Sequence, residues 1–432
     1  MNWLEDFFGL KRAGTSVRTE VVAGATTFLA MVYITAVNPG ILSETGMDFG
    51  AVFVATCLAA AAGSIVMGVM GNFPIAQAPG MGQNAFFTYG IVLGMGFTWQ
   101  EALGAVFISG VIFIVLSVLP VREWLINAIP HNLKMGISAG IGLFLGFIAL
   151  RNAGIIVANP VTFVGLGDVT VFGAAACLFG FVLISVLSKR NIPGAVVIGM
   201  LATSILGWTF TDAEIAGVVA MPPSLDPVLM ELDIWGALEL SMISVIITIL
   251  IVDVFDTAGT LVAVSTRANL LDEKGHLPRL NKALLSDSGA STVGAVLGTS
   301  STTSFIESAA GVEAGGRTGL TAVVCGVLFL LCLFFAPLAQ SIPAYAAASA
   351  LLFVACIMAR SLADLSWDQL DESAPAMIAA LAMPLTFSVT AGIGLGFITY
   401  MLMKVVDGRY RECPLAVYAG AAVFAGKFIF LS

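Results

Sequence analysis

Charged side chains are scarce in this sequence. Of its 432 residues, only 10% are charged while 59% are hydrophobic, and the mean hydropathy is +1.00. Soluble globular proteins carry about 25% charged residues, so this composition excludes a chain that folds mainly in water. The net charge of −9 gives no reason to expect a nucleic-acid partner. The expected surroundings are a lipid bilayer.

Histidine and paired cysteines are also lacking. The six cysteines are scattered without a Cys-x-x-Cys pair, and the two histidines, His131 and His276, fall in predicted loops. Such spacing does not suit a zinc site, and a buried histidine proton relay is not expected. We therefore predict no metal and no cofactor, and any ionic chemistry falls to carboxylates.

The N-terminal segment, residues 1–20, lacks the basic, apolar and cleavable regions of a signal peptide in their usual order. It is amphipathic and carries Lys11, Arg12 and Arg18. We expect it to be retained on the cytoplasmic face of the membrane.

Long apolar runs fill the rest of the chain, and several are close to the about 20 residues that a membrane-spanning helix needs. Seven precede an acidic loop and seven follow it: 21–42, 50–70, 76–95, 101–120, 134–152, 170–188 and 193–210, then 236–265, 283–298, 300–314, 318–338, 343–360, 375–406 and 413–431. A repeat of an odd number of spans places its second copy upside down, as in many secondary transporters. We predict an all-α polytopic membrane protein of about 14 spans in two inverted seven-span repeats.

The basic residues of the loops give the orientation. Lys189 and Arg190 follow the sixth run and Arg267 follows the eighth, whereas the loop after the seventh run has five acids and no bases. Cytoplasmic loops carry the excess of Lys and Arg, so the N-terminus is predicted to be cytoplasmic. Lys404 would contradict this if 375–406 crossed the membrane once. One crossing, a broken helix and two short helices all stay open for that stretch.

Two apolar stretches half a chain apart are interrupted in the same way. Residues 77–90 and 299–311 each begin with small, hydroxyl-bearing, proline or glycine residues and continue with a helical pattern. Interrupted segments at corresponding positions of two halves indicate the central binding site of a transporter.

Acidic residues lie at membrane depth in the same regions. Asp253 and Asp256 are three apart in one apolar helix and share a face, and Glu307 lies in the second interrupted stretch. A charge at the bilayer centre costs roughly 2.5–3.5 kcal/mol on insertion scales, so such acids are candidates for a substrate or ion pathway. The alternative is that they are protonated or paired with a distant cation. Burial and mutual repulsion disfavour the ionised forms, so at least one acid is expected to bind a proton near neutral pH.

Asn84 follows the first interruption and can both donate and accept hydrogen bonds, which suits a solute edge presenting both kinds of group. The alternative is that it caps the short helix that begins there. Phe86 could stack on a flat ring, although packing is the commoner role of a phenylalanine in such a protein.

Four strings carry a family resemblance: TTFLAMVYITAVNPGIL (26–42), APGMGQNAFF (78–87), DVFDTAGTL (253–261) and FIESAAGVEAGGRTGLTAVV (305–324). They resemble the azaguanine-type purine permeases, a branch of the nucleobase–cation symporter superfamily. The resemblance implies import of adenine, guanine or hypoxanthine with protons across the bacterial cytoplasmic membrane. It also implies a homodimer.

The resemblance further implies a division of the chain. A core would comprise residues 21–120 and 236–338, and a gate would comprise 134–210 and 343–432. Two short antiparallel strands, about 75–79 and 299–303, would meet at the substrate site.

Site residues follow from the same resemblance. It assigns substrate contacts to Asn84, Asp256 and Glu307, to which we add Asp253, Phe86 and Thr303. Proton coupling is assigned to the three acids. Gln83 stands where relatives commonly have an aliphatic residue, and its amide could reach the pocket.

Other functions fit less well. Uptake of uracil or xanthine is the nearest alternative, and an anion carrier is disfavoured because three acids repel anions. A channel would need a continuous polar pore. A membrane enzyme would need a nucleophile–base pair or a metal set, which the sequence does not offer.

Overall fold

The structure is a computed structural model that describes residues 2–119, 129–271 and 277–430. The predicted core boundary at residue 120, His276 and the last two residues of the predicted gate lie outside these ranges.

The first half of the chain is helical apart from three short strands. In order, its elements are α1 (Asn2–Phe8), α2 (Val17–Met31), α3 (Ile34–Leu42), α4 (Phe49–Val66), β1 (Gln77–Pro79), α5 (Met81–Ala85), α6 (Leu93–Met95), α7 (Trp99–Val118), α8 (His131–Asn152), β2 (Ile156–Asn159), β3 (Phe163–Leu166), α9 (Phe172–Lys189) and α10 (Ala195–Phe210). Met67–Gly71 and Phe86–Val92 are π-helical, and Ser43–Thr45 is a 3₁₀ turn.

The second half contains one strand. Its elements are α11 (Ile234–Ala237), α12 (Ile243–Arg267), α13 (Leu280–Leu297), β4 (Thr302–Ser304), α14 (Ser308–Glu313), α15 (Gly319–Cys332), α16 (Ala336–Gln340), α17 (Ala344–Ala359), α18 (Leu370–Thr386), α19 (Val389–Val406) and α20 (Leu415–Phe430). The 3₁₀ turns are Leu240–Met242, Leu333–Phe335, Arg360–Asp364 and Tyr410–Glu412.

Length and composition identify the membrane-spanning elements. Within the described ranges, nine helical segments are long and apolar enough to cross a bilayer, and the shorter helices α10 and α20 are also apolar. Two further predicted spans, 76–95 and 300–314, are each a strand followed by a short helix. The predicted fold class, an all-helical polytopic membrane protein with a short antiparallel strand pair, is confirmed.

The stretch 375–406 forms two helices. Phe387 adopts a left-handed backbone conformation with φ of 54° between α18 and α19, and the Ser388 side chain caps α19 by accepting from the amide of Ala391. Lys404, near the end of α19, lies 2.7 Å from Asp371 in the first turn of α18. The two helices are therefore antiparallel, and Lys404 returns to the face where α18 begins. The contradiction with the orientation rule disappears, because the stretch predicted as one run holds two helices.

Strand β1 pairs with β4 in antiparallel register, Ala78 opposite Thr303. The strands begin two and three residues later than the predicted 75–79 and 299–303. Just before β4, the side chains of Ser300 and Ser301 donate to Asn84 and Asp253.

Helix packing separates two groups of elements. Helices α2, α4, α7, α12, α13 and α15 pack on one another, while α8 packs on α17 and α18, and α9 and α10 pack on α17. Glycines allow some helices to approach closely, as in other membrane helix pairs. A Cβ placed on Gly319 would lie 1.9 Å from the carbonyl oxygen of Gly68.

A buried carboxylate closes the turn between α14 and α15. Glu20 of α2 is 0% exposed and accepts hydrogen bonds from the backbone amides of Arg317, Thr318 and Thr321. The Arg317 side chain donates to the carbonyl of Val312 at 2.6 Å. An acid at the N-terminus of α15 is favoured by the helix dipole, so this tie fixes α15 against α2.

Candidate functional site

The two interrupted stretches meet at the pairing of β1 with β4. The amide of Gly80 donates to the carbonyl of Ser301 at 2.9 Å, and the amide of Phe305 donates to the carbonyl of Ala76 at 3.0 Å. Helices α5 and α14 begin directly after the strands. Extended backbone at membrane depth is tolerated where protein surrounds it, and here the whole of both strands is buried.

Glu307 lies at the start of α14 with a half-buried side chain. The hydroxyl of Tyr33, at the break between α2 and α3, donates to its Oε1 at 2.7 Å. Glu307 accepts no other side-chain hydrogen bond from the described residues. One carboxylate oxygen is therefore oriented by Tyr33, and the other can accept from a ligand.

Asp256 and Asp253 lie one turn apart on α12 but have different surroundings. Asp253 is 0% exposed and accepts from three side chains, those of Gln83 at 2.9 Å, Ser291 at 3.0 Å and Ser301 at 2.7 Å. Asp256 is half-buried, and no hydrogen bond reaches its side chain from residues 2–119, 129–271 or 277–430. Asp253 therefore joins elements together, whereas Asp256 keeps both oxygens open.

Asn84 is fully buried one turn inside α5. Its Oδ1 accepts from the hydroxyl of Ser300, and its Nδ2 has no hydrogen-bond partner in the described structure. The alternative interpretation of Asn84 as the helix cap is wrong, because the residue that precedes the first turn of α5 is Gly80.

Gln83 adds a second unpaired polar atom beside Asn84. Its amide nitrogen donates to Asp253, but its Oε1 is buried and unpaired among the described residues. Leaving a buried polar group unpaired costs about 1–3 kcal/mol. The unpaired donor Asn84 Nδ2 and the unpaired acceptor Gln83 Oε1 are therefore suited to a ligand edge that carries both an acceptor and a donor.

Thr303 and Phe86 are also buried here. The Thr303 hydroxyl lies 3.1 Å from the hydroxyl of Thr257. The Phe86 ring packs over Gly90, where an added Cβ would approach within 2.5 Å of the ring. Phe86 lies in a π-helical turn, a feature found frequently at functional sites.

Sequence reasoning missed Asp287. This residue of α13 is 0% exposed, and it accepts from Gln77 at 3.0 Å, from Ser304 at 2.8 Å and from Thr257. It thereby joins both strands to α12 and α13. The signal was available, because Asp287 is an acid inside an apolar run and the argument applied to Asp253 applies equally to it.

The site is electrostatically negative. Asp253, Asp256, Asp287 and Glu307 make no ion pair with a lysine or arginine of the described residues. Hydroxyl and amide donors hold two of these acids, while Glu307 and Asp256 remain able to accept hydrogen bonds or a proton. The arrangement suits a neutral solute with several N–H groups.

The chain is similar to known proteins over nearly its full length. The profile of the family described as Permease family (Xan_ur_permease) matches residues 18–395. The chain is 48% identical over 428 residues to the adenine permease AdeP of Escherichia coli (strain K12), covering 99% of this chain and 96% of that one. It is 44% identical over 440 residues to the guanine/hypoxanthine permease PbuG of Bacillus subtilis (strain 168), covering 99% and 100%.

Solved structures share the fold at low sequence identity. The transmembrane domain of a cyanobacterium bicarbonate transporter, BicA, superposes with a TM-score of 0.68 at 16% identity, covering 88% of this chain and 97% of that one. The structure of SLC26A9 gives a TM-score of 0.66 at 9% identity, covering 94% and 69%. These likenesses concern the fold alone.

Proposed function

Because this chain belongs to the permease family whose profile matches residues 18–395, we propose that it imports purine nucleobases by proton symport. The substrates are adenine, guanine or hypoxanthine, in keeping with the names of its relatives. The protein is a transporter and not an enzyme. The observation that carries the proposal is that Glu307 and Asp256 keep open carboxylate oxygens while Asn84 and Gln83 keep buried, unpaired amide atoms among the described residues.

The base binds edge-on to this polar set. Glu307 and Asp256 accept hydrogen bonds from purine N–H groups, each worth about 1.5–3 kcal/mol when the acceptor is charged. Asn84 Nδ2 donates to a ring nitrogen or carbonyl, and Gln83 Oε1 accepts from an exocyclic amine or ring N–H. Thr303 and Phe86 shape the wall. Because these acids pair with no lysine or arginine in the described part of the chain, the site favours a neutral base over an anion.

Proton coupling follows from the same negative charge. Four buried or half-buried carboxylates without a cation partner among the described residues cannot all stay ionised, because burial and mutual repulsion both disfavour the charged form. Asp256 accepts the fewest hydrogen bonds from the described residues, so its ionised form is the least stabilised of the four. It is therefore the carboxylate that holds the transported proton. Binding of base and proton are then linked, because a proton on Asp256 lowers the repulsion on ionised Glu307, and a base that donates to Glu307 favours its ionised form.

Alternating access moves one group of helices against the other. The core comprises residues 21–120 and 236–338 and carries the strands and acids. The gate comprises 134–210 and 343–432, in which α8 and α17–α19 pack together. The packing of helices within each group supports this division, and the site lies on the core. Two copies associate through the gate.

We propose that the protein lies in the inner membrane of a bacterial cell with its N-terminus in the cytoplasm. The positions of Lys189, Arg190 and Arg267 support it, and so does the return of Lys404 to the same face.

Uptake measurements test the proposal directly. The protein is expressed in cells that lack their own nucleobase permeases. Uptake of radiolabelled adenine, guanine, hypoxanthine, uracil and xanthine is then measured with and without a protonophore. We expect saturable uptake of at least one of the first three, abolished by the protonophore. Uptake confined to uracil or xanthine would favour the alternative substrate class, and uptake indifferent to the proton gradient would overturn the coupling.

A further inference from the structure

A cavity of about 430 Å³ lies apart from the carboxylates. Its lining includes Tyr89, Leu93, Phe147, Arg151, Phe163 and Phe387. Tyr89 and Leu93 follow α5 on the predicted core, whereas the other four belong to the predicted gate. The hairpin of β2 and β3 forms one wall. The cavity therefore lies where the two groups of helices face each other.

Aromatic rings dominate this cavity. The Phe387 ring is met edge-on by Tyr89 and by Phe147, each with a centroid separation of 5.8 Å. The guanidinium of Arg151 lies 5.7 Å from the centroid of the same ring. Aromatic faces favour stacking with a flat ring of a ligand. The exposed guanidinium of Arg151 offers several N–H donors in one plane.

A polar tie holds one edge of the cavity. The Tyr89 hydroxyl donates to Glu44 Oε1 at 2.6 Å and accepts from the Asn152 amide at 3.3 Å. Glu44 and Tyr89 lie on the core, and Asn152 lies at the end of α8 on the gate. The Tyr89 ring is thereby fixed in place as a wall, with its hydroxyl turned to these two partners.

The cavity lies at the face opposite Lys189 and Arg267. Glu44 follows the first span, Arg151 ends the fifth, and Phe387 is at the tip of the antiparallel pair α18–α19, away from Lys404. Each of these positions is an odd number of crossings from the N-terminal segment. With the N-terminus in the cytoplasm, the cavity opens to the outside.

We propose that this cavity is an outer binding site for a purine base, occupied before the base reaches Glu307. The inference rests on the proposed function and orientation. The volume of the cavity falls in the range of small-molecule sites, about 300–1,000 Å³. Stacking of bases on aromatic side chains is a general mode of recognition. Arg151 donates to the acceptor atoms of the purine, whereas the acids of the central site accept from its N–H groups. The two sites therefore contact different edges of the same molecule.

Cysteine protection tests the outer site separately from transport. Ala158, which lines the cavity, is replaced by cysteine in a Cys356→Ser, Glu307→Gln background, which removes the exposed native thiol and disables the central site. Intact cells are labelled with a membrane-impermeant maleimide in the presence of the purine that the unmodified protein transports. We expect the purine to slow labelling of the cysteine at position 158. Phe387→Ala or Arg151→Gln should raise the purine concentration needed for half-maximal protection by about tenfold.

A cysteine at Val161 is the matched control. It lies in the same hairpin, is 85% exposed and is outside the cavity lining, so its labelling should be indifferent to purine. Protection of both positions would indicate a general conformational response and would overturn the outer site. Absence of protection at position 158, or of any labelling from outside, would overturn it too.

Uptake by the unmodified protein separates the two proposals. If it transports purines but shows no protection at position 158, only the outer site falls. If it transports no purine, the proposed function falls and the outer purine site falls with it.

Discussion

At the scale of single residues, the buried acids differ in the donors that surround them. Asp253 and Asp287 each accept three side-chain hydrogen bonds, Glu307 accepts one, and Asp256 accepts none from the described residues. A carboxylate with three donors has little capacity left for a ligand. We therefore propose that Glu307 and Asp256 contact the ligand, whereas Asp253 and Asp287 hold neighbouring elements together.

Replacement of Glu307 by glutamine should abolish high-affinity uptake while the protein still reaches the membrane. The amide keeps the size of the side chain but removes the charge that strengthens hydrogen bonds from a base. Uptake at low purine concentration and the amount of protein in the membrane are measured together. Glu313→Gln is the control, because the Glu313 side chain is 62% exposed. Near-normal uptake by Glu307→Gln would contradict the assigned role.

Replacement of Tyr33 by phenylalanine should weaken substrate affinity without abolishing transport. The change removes the 2.7 Å bond to Glu307, and a hydrogen bond to a charged group contributes about 1.5–3 kcal/mol. We expect the KM for uptake to rise by about tenfold, with a smaller change in the maximal rate. Tyr410→Phe, at a position 53% exposed, should leave KM unchanged. An unchanged KM in Tyr33→Phe would show that Glu307 needs no orientation by Tyr33.

At the scale of elements, the site depends on how the strands are held to their neighbouring helices. Asp287 bonds to a side chain of each strand, through Gln77 of β1 and Ser304 of β4. Helix α15 is fixed by Glu20 and by its contact with Gly68. These ties are tertiary, so their loss should reduce stability as well as transport.

Replacement of Asp287 by asparagine should lower the melting temperature of the detergent-solubilised protein by several degrees. The neutral amide loses charge-assisted bonds and presents an N–H₂ group to donors that need an acceptor. Thermal unfolding monitored by the loss of the monodisperse elution peak measures the effect. Asp6→Asn, at an exposed position of α1, is the control. An unaltered melting temperature with lost uptake would move Asp287 from a structural to a transport role.

Replacement of Gly319 by alanine should move α15 away from the π-helical segment Met67–Gly71 that follows α4. The added Cβ would lie 1.9 Å from the carbonyl oxygen of Gly68, so backbone must shift. Overpacking of this kind costs about 1–3 kcal/mol, and the melting temperature should fall accordingly. Gly40→Ala is the control, since a Cβ there meets nothing within 4 Å. Equal stability of the two variants would rule out a tight α4–α15 contact.

At the scale of the whole molecule, the two groups of helices touch on both faces of the membrane. Tyr89 meets Asn152 on the predicted outer side, and Leu29 meets Gly194 near the predicted cytoplasmic side. A transport cycle that moves core against gate must break these contacts in turn.

A cross-link between Leu29 and Gly194 should therefore stop transport. A Cβ on Gly194 would lie 3.5 Å from that of Leu29, within the range of a disulfide. In a Cys356→Ser background, oxidation of the Leu29→Cys, Gly194→Cys pair should abolish uptake, and a reducing agent should restore it. The control pair Gly146→Cys, Ala355→Cys lies within the gate at 3.3 Å and should cross-link without loss of uptake. Continued uptake by the first pair after verified cross-linking would exclude relative movement at this contact.

The sequence by itself determined the membrane class, the family and the two interrupted stretches, and it identified Glu307 and Asn84 as candidate site residues. Each depends on local information: hydropathy over about 20 residues identifies a span, and a short string identifies a family or a break in a helix. Asp256 could be identified because a charge in an apolar run is visible in the sequence alone.

Only the tertiary structure decided which buried groups are satisfied. Tyr33 and Glu307 are 274 positions apart, and Gln77 and Asp287 are 210 apart, so no local pattern predicts their bonds. The same holds for the two helices in 375–406, whose antiparallel packing brings Lys404 to Asp371. It holds also for the outer cavity, where four separate segments converge. Hydrogen bonding and packing are properties of residues brought together by folding, and a linear sequence does not list its neighbours in space.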